Sequence, residues 1–280
     1  MHTFSEIAKN YRVLFLDAYG VLKNSSGVIP GIEKVLARLI DEGRELYVVT
    51  NDASKSPQDM ADQFHADTTG PILIPPERFV SSGLMVTDFL RNKVRTGRVA
   101  YLGQPASAWY IESAGIEAVP LREVDDHATL DALVLLDDEG FDWQPDVNKA
   151  LNLLRNHTIP VIVANADPVY PVDDHRVAIA VGTLGRMLES LVGNHFIHFG
   201  KPDAFMLSFT ANEVLRRIPD LKKSDVLMVG DTLTTDIKAG NKFGVDTCLV
   251  LSGNTTKKDA EFRIQSTAIQ PTYICESVLT

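Results

Sequence analysis

The sequence has few cysteines, no long apolar run and no excess of basic residues. Its only two cysteines, Cys248 and Cys275, lie in separate segments and cannot form a zinc site by themselves. Free thiols and a reducing, cytoplasmic location are the simplest interpretation. The first residues contain no apolar stretch of signal-peptide length, and no run in the chain is long enough to span a bilayer. The formal net charge of -10 disfavours nucleic acid or an anionic membrane as the main partner.

The composition that remains is typical of a globular protein. Hydrophobic residues make up 45% of the chain and charged residues 23%, which is close to the average for folded domains. A chain of 280 residues is long for one core and short for three. We therefore expect one large domain and one smaller domain.

Short apolar segments alternate with helical patterns along most of the chain. Strands are predicted within Val13–Leu22, at Glu45–Thr50 and at 78–83, each followed by a helical pattern. This alternation predicts an α/β fold with a parallel sheet. It continues from residue 99 with more acidic connecting segments, so residues 99–182 are predicted to be a separate α/β unit. That unit would be inserted into a first domain made of residues 1–98 and 183–280.

Polar side chains follow several of the predicted strands. Asp17, the Thr50-Asn51 pair and Asp231 each stand at a strand end, and Lys201 follows a further short strand. Taken singly, such residues are more often helix caps, turn residues or surface residues. Because the carboxyl ends of parallel strands meet at one edge of a sheet, these side chains are expected to converge there.

The converging residue types are suited to handling a phosphate group. A carboxylate that attacks a phosphate monoester meets like-charge repulsion, so the site needs compensating positive charge. A Mg²⁺ ion held by Asp17 and Asp231, together with the ammonium group of Lys201, would supply that charge. The Thr50 hydroxyl and nearby backbone N–H groups would bind the phosphate oxygens.

The strings DAYGV, TN, GKP and GDTLTTD, in this order, resemble the four motifs of the haloacid dehalogenase (HAD) superfamily. A large insert between the second and third motifs is similar to class II members. Within that class, the segments TNDASKS, VIVANADPVYP, FGKPDAF and LVLSGNTT resemble the class IIA phosphatases. The resemblance extends over most of the chain. It implies a Rossmann-like parallel-sheet core, with the insert as an α/β cap that covers the site and selects the substrate.

The resemblance also implies roles for the motif residues. Asp17 would be the nucleophile and would form an aspartyl-phosphate. Lys201 would hold the phosphate and the nucleophile together, while Thr50 and Asn51 would belong to the phosphate-binding side. The implied substrate is a small phosphorylated metabolite, and cap-mediated homodimers are a further expectation for this class.

The implied cofactor is Mg²⁺. Its ligands would be Asp17, the backbone carbonyl of Tyr19, and the two acids of the fourth motif, Asp231 and Asp236. The metal would screen the charge of the phosphate as Asp17 approaches it.

Tyr19 departs from the family pattern. Most phosphatases of the superfamily have a second Asp at this position, where it protonates the leaving group and then activates the hydrolytic water. A phenol with a pKa of about 10 can donate a proton to an alkoxide but is a poor base at neutral pH. Tyr19 is therefore expected to slow turnover, mainly in the second step.

Three functions remain open at this point. The first is a Mg²⁺-dependent phosphatase, and the second is a weak or inactive phosphate-binding relative. The third is a dehalogenase, because DAYG also resembles the first motif of the L-2-haloacid dehalogenases. Those enzymes need no metal and lack the paired acids that Asp231 and Asp236 supply here. The acidic run Asp137–Glu139 in the insert is expected to be a solvated surface.

Overall fold

The computed structural model describes residues 3–65, 70–125, 128–173 and 176–280. Its strands in chain order are β1 Val13–Leu16, β2 Lys23–Asn24, β3 Gly27–Val28, β4 Glu45–Thr50, β5 Phe79–Ser81, β6 Arg98–Leu102, β7 Glu117–Pro120, β8 Ala132–Leu135, β9 Val161–Val163, β10 Val169–Asp173, β11 Arg176–Ile179, β12 Ile197–His198, β13 Val226–Gly230, β14 Asp246–Val250 and β15 Tyr273–Cys275. Its α-helices are α1 Phe4–Ala8, α2 Ile32–Asp41, α3 Pro57–Ala61, α4 Ser82–Phe89, α5 Trp109–Glu112, α6 Trp143–Asn156, α7 Val181–Val192, α8 Phe205–Arg217, α9 Lys238–Phe243 and α10 Ala260–Thr267.

Six parallel strands form the core sheet, in the order β15-β14-β13-β1-β4-β5. Every residue of the two central strands, β1 and β13, is buried. Side chains alternate between the two faces, with Leu14 and Leu16 in one apolar cluster and Val13 and Phe15 in the other. Strands that are buried on both faces consist almost entirely of apolar residues, and this is typical of parallel sheets. The predicted α/β fold class is confirmed.

A second parallel sheet, in the order β12-β9-β8-β6-β7, forms the cap. The cap extends beyond the residue 182 expected from the sequence, because β12 pairs with β9. Helix α7 also packs on this sheet, where Leu184 and Leu188 join the apolar cluster of Leu133 and Val163. Helical periodicity identifies an apolar face but not the sheet that receives it. We therefore place the second boundary after His198.

The last residues of the chain, where the sequence pattern is weak, complete the core. Helix α10 is followed by β15, which is the edge strand beside β14. This pairing brings Cys248 and Cys275 together, with 3.6 Å between their sulfur atoms and no disulfide. No helix in the described ranges combines the length and the apolar character needed to cross a bilayer.

The two sheets direct the carboxyl ends of their strands toward one cavity of about 430 Å³. The core contributes residues that directly follow or end its central strands, including Asp17, Thr50 and Asp231. The cap contributes the segments that follow β8 and β9, including Asp137 and Asp167. The cavity therefore has a core half and a cap half with different chemistry.

Candidate active site

Lys201 connects three of the predicted motifs at the floor of the cavity. Its side chain is 2% exposed, and Nζ donates a hydrogen bond to Asp17 Oδ1 at 2.6 Å. The same ammonium lies 2.7 Å from Asp236 Oδ1 and donates to the Val49 carbonyl at 2.7 Å. Burial opposes its charge, but the attraction of Asp17 and Asp236 prevails and raises the pKa of Lys201 above its usual value. Lys201 is therefore a buried, permanently charged ammonium beside the predicted nucleophile.

Asn51 fixes the position of Lys201. Its Oδ1 accepts from the Lys201 backbone N–H at 2.7 Å, and its Nδ2 donates to the Lys201 carbonyl at 3.0 Å. The second Nδ2 hydrogen is donated to Asp167 Oδ1, also at 3.0 Å. All hydrogen-bonding capacity of the amide nitrogen is thus directed at protein groups. Asn51 orders the site in this structure, and no N–H of its side chain is left for a phosphate.

Three buried carboxylates form the predicted acidic cluster. One oxygen each of Asp17, Asp231 and Asp236 lies within 4.8 Å of the others. Burial raises the pKa of Asp17 well above its ordinary value, against the attraction of Lys201. Burial and repulsion from Asp236 raise the pKa of Asp231 to about 7. The ammonium of Lys201 thus does not balance the negative charge of the three carboxylates. The hard oxygen donors of the cluster suit a divalent cation such as Mg²⁺.

The turn after Asp17 offers a fourth oxygen. Within the described ranges, the backbone carbonyl of Tyr19 accepts no hydrogen bond. Gly20 adopts φ +79°, and a Cβ at this position would collide with the Asp231 carboxylate. Glycine is therefore required here both by the backbone conformation and by the close approach of Asp231. The predicted donor set, three carboxylates and this carbonyl, fits a hard cation.

Thr50 lines the cavity on its core side. It is buried at the end of β4, and its Oγ1 accepts from the backbone N–H of Asp52 at 3.1 Å. Because this bond uses a lone pair, the hydroxyl proton remains available to an acceptor in the cavity. The contact between Thr50 and a phosphate oxygen stays a prediction.

The Tyr19 side chain lies between the core half and the cap half. Its ring centroid is 6.0 Å from that of Tyr170 and 4.5 Å from Lys23 Nζ. Burial, reinforced by the nearby charge of Asp52, raises the pKa of the Tyr19 phenol above its usual value. The phenol therefore stays protonated at neutral pH, and it cannot act as a general base.

The acidic run Asp137–Glu139 lines the cavity, which corrects the expectation of a purely solvated surface. Tyr170 donates to Asp138 Oδ2 at 3.2 Å, and Gln104 donates to Glu139 Oε2 at 2.6 Å. Burial raises the pKa of Asp137 to about 7 and that of Asp138 to about 6. One sequence signal was available, because the run begins two residues after the end of strand β8.

Asp167 is a second cap residue that the sequence analysis did not identify. It follows β9 in the segment NADPVYP, lines the cavity and accepts the hydrogen bond from Asn51. Its position at the end of a cap strand is the signal that could have identified it. The cap therefore reaches the second motif directly.

Comparisons with known proteins agree with this geometry. Residues 14–117 match the model of the haloacid dehalogenase-like hydrolase family, and residues 198–280 match a HAD-hydrolase-like model. The ribonucleotide monophosphatase NagD of Escherichia coli is 28% identical over 267 residues, covering 94% of both chains. Dihydroxyacetone phosphatase of Corynebacterium glutamicum is 26% identical and covers 94% of this chain and 87% of its own.

One protein of solved structure has a higher sequence identity to this chain than these two relatives. A possible sugar phosphatase of the HAD superfamily from Cytophaga hutchinsonii is 48% identical, with a TM-score of 0.92. The alignment covers 100% of this chain and 98% of that one. Sequence motifs, cap placement and fold agree, and the chain belongs to the HAD superfamily of hydrolases, in its class IIA.

Proposed function

We propose that this protein is a Mg²⁺-dependent phosphatase of small phosphorylated metabolites, acting through an aspartyl-phosphate on Asp17. The observation that carries the proposal is the buried contact of Asp17 with Lys201, beside Asp231 and Asp236 at the floor of the cavity. A lone buried nucleophilic carboxylate would repel a phosphate dianion. Here an ammonium and a set of metal-binding oxygens flank it.

The side chains divide the reaction between them. Asp17 attacks phosphorus, so that an Asp17–phosphorus bond forms while the ester P–O bond breaks. Lys201 orients Asp17 and, with the Thr50 hydroxyl, stabilises the equatorial phosphate oxygens. Mg²⁺ held by Asp17, Asp231 and the Tyr19 carbonyl, with Asp236 supporting the site, would neutralise charge on the transferring phosphoryl group. Water then hydrolyses the aspartyl-phosphate, which releases phosphate and regenerates Asp17.

Of the two alternative functions, the dehalogenase receives less support from this geometry. Displacement of halide from carbon creates no phosphate charge, so a cluster of three carboxylates with raised pKa values for Asp17 and Asp231 would serve no purpose in it. A phosphate-binding protein without turnover has the same site residues. Only an activity measurement separates it from a phosphatase.

The first prediction is turnover of 4-nitrophenyl phosphate with Mg²⁺ and its loss after treatment with a chelator. This substrate is suitable because its leaving group needs little protonation. The replacement of the usual Asp by Tyr19 should therefore slow the first step only slightly. Release of 4-nitrophenolate is followed by absorbance, and readdition of Mg²⁺ should restore it. If the metal-loaded protein releases none, yet phosphate or vanadate still raises its melting temperature, the binding-protein alternative is correct.

The cap half of the cavity supports a narrower substrate class. Asp137, Asp138 and Glu139 line the cap half of the cavity, and they present acceptor oxygens and negative charge. Such a lining accepts hydrogen bonds from hydroxyl groups and repels a second anionic group. We propose neutral, hydroxyl-bearing leaving groups such as polyols and sugars.

The second prediction compares two substrates of similar size, glycerol 3-phosphate and 3-phosphoglycerate. The neutral polyol ester should have the higher kcat/KM, by about tenfold or more, because repulsion of the carboxylate costs roughly 1.4 kcal/mol or more. Asp138→Asn should narrow this ratio, since the amide keeps an acceptor for Tyr170 without the charge. Asp125→Asn, an exposed cap residue that does not line this cavity, is the matched control. Equal rates on both substrates in the unmodified protein would contradict the proposal.

A further inference from the structure

Hydrolysis of an alkyl phosphate needs a group that Tyr19 does not provide. The leaving alkoxide must be protonated, and the water that attacks the aspartyl-phosphate must lose a proton. The Tyr19 phenol, with its raised pKa, cannot take that proton from water at neutral pH. Another group on the cavity wall has to accept it.

Asp167 lines the cavity and is held beside the second motif. Its backbone N–H donates to Asn165 Oδ1 at 2.8 Å, and its Oδ1 accepts from Asn51 at 3.0 Å. Helix α7 packs against the same loop so closely that a Cβ at Gly182 would lie 2.5 Å from the Asp167 carbonyl oxygen. The bond from Asn51 therefore holds the carboxyl group, while the contacts with Asn165 and helix α7 hold the backbone of Asp167.

The second oxygen of Asp167 faces available space. Among the described residues no hydrogen bond to Oδ2 is found, and Asp167 lines the cavity. The acidic run shares this feature, because Asp137 Oδ2 also has no hydrogen-bond partner among the described residues and Tyr170 bonds only Oδ2 of Asp138. Asp52, in contrast, is bonded by Ser54 and paired with Lys23. What distinguishes Asp167 is its hydrogen bond to Asn51. Asp167 is the cap carboxyl that touches the second motif, next to Thr50.

From this geometry we infer that Asp167, supplied by the cap, performs the proton transfers of the reaction. As Asp17 displaces the alkoxide, Asp167 gives its proton to the leaving oxygen. The resulting carboxylate then takes a proton from the water that attacks the aspartyl-phosphate, so Asp167 and Asp17 return to their starting states. The inference rests on the proposed phosphatase function and adds to it a residue from outside the four motifs.

The electrostatic environment is consistent with both half-reactions. Burial raises the pKa of Asp167 to about 6, although Lys201 and Arg186 oppose the shift and Asp236 reinforces it. The neutral group that donates to its Oδ1 is the amide of Asn51. A carboxyl that titrates near neutral pH is available in both protonation states.

Two variants separate proton transfer from a merely structural contact. Asp167→Asn keeps an acceptor oxygen for Asn51 but cannot carry the proton, whereas Asp167→Ala removes both properties. With Mg²⁺ present, both variants should lose about 10²- to 10⁴-fold in kcat on glycerol 3-phosphate. On 4-nitrophenyl phosphate, Asp167→Asn should release about one equivalent of 4-nitrophenolate rapidly and then slow down, because only the second step needs the base.

The controls distinguish the possible failures. Melting temperatures of both variants confirm folding, and Asp125→Asn shows the effect of removing a cap charge outside the cavity. If Asp167→Asn keeps unmodified rates on both substrates while Asp167→Ala loses them, Asp167 is only a contact between cap and core and the inference is wrong. If the unmodified protein hydrolyses neither substrate, the proposed function itself fails and the inference with it.

Discussion

Asp17→Asn should abolish phosphatase activity while leaving the fold intact. An amide cannot form the acyl phosphate, so the expected loss in kcat on 4-nitrophenyl phosphate is on the order of 10⁴-fold or more. The Asn side chain is nearly isosteric, and its Oδ1 can still accept the hydrogen bond that Lys201 donates to Asp17 at 2.6 Å. The measurement is steady-state turnover with saturating Mg²⁺.

A thermal melt without metal distinguishes this explanation from unfolding. The raised pKa of Asp17 means that its negative charge is unfavourable in the folded protein. Removing that charge should leave the melting temperature unchanged or higher. Asp41→Asn, an exposed substitution on helix α2, is the control and should leave both activity and melting temperature unchanged. If Asp17→Asn keeps a tenth of the original turnover, Asp17 is not the nucleophile.

Lys201→Met should remove both activity and a large part of the stability. Its ammonium contacts two buried carboxylates, Asp17 and Asp236, and its loss leaves both without that partner. Breaking a buried ion pair from one side costs about 3–5 kcal/mol of unfolding free energy. Turnover should fall by roughly 10²- to 10³-fold or more, since the phosphate also loses a charge-assisted donor. Urea unfolding in the presence of a chelator and phosphatase assays measure the two effects.

The stability loss should depend on pH. A carboxyl whose pKa is higher in the folded than in the unfolded state binds protons on folding, so such a fold gains stability as pH falls toward the folded pKa. Without Lys201 the raised pKa of Asp17 should rise further. In the unmodified protein the pKa of Lys201 is raised by folding. The stabilisation that its charge contributes is therefore fully present below its unfolded pKa of about 10.4.

The loss of unfolding free energy in Lys201→Met, relative to the unmodified protein, should therefore be larger at pH 8 than at pH 5.5. Lys257→Met provides a matched control, because its ammonium forms an exposed pair with Glu276 at 2.6 Å. An exposed pair is screened by solvent and contributes little to stability, so this control should unfold almost like the unmodified protein. Equal deficits for the two Lys variants at pH 8 would show that the buried ion pair does not stabilise the fold.

The sequence alone was sufficient for the core half of the site. Apolar strands that end in Asp17, Thr50 and Asp231 are local patterns, and parallel pairing brings strand ends together whatever the details of packing. Lys201 was located in the same way, because it follows a short strand, whereas Asp236 was identified only by the resemblance to the fourth motif. The structure places Asp17 and Asp236 within ion-pair distance of Lys201, and Asp17, Asp231 and Asp236 close enough to one another to hold a cation.

The cap half could not be derived from local patterns. Whether Asp137 is solvated or lines a cavity depends on how the cap packs over the core, and the helical pattern of α7 does not indicate which sheet it covers. The hydrogen bond between Asp167 and Asn51 joins residues 116 positions apart, in two different domains. Local periodicity is set by burial within one element, whereas such contacts arise only once separate elements have packed.

The sequence by itself thus determined which side chains the core presents at the sheet edge: a strand-end carboxylate, a lysine and two further acids. The tertiary structure decided what surrounds that chemistry. It showed that the amide of Asn51 is used to position Lys201 and that the cap supplies an acidic wall. It also placed Asp167 beside the second motif. The physical reason is that strand-end chemistry is encoded locally, whereas the orientation of cap against core is a sum of many long-range packing contacts.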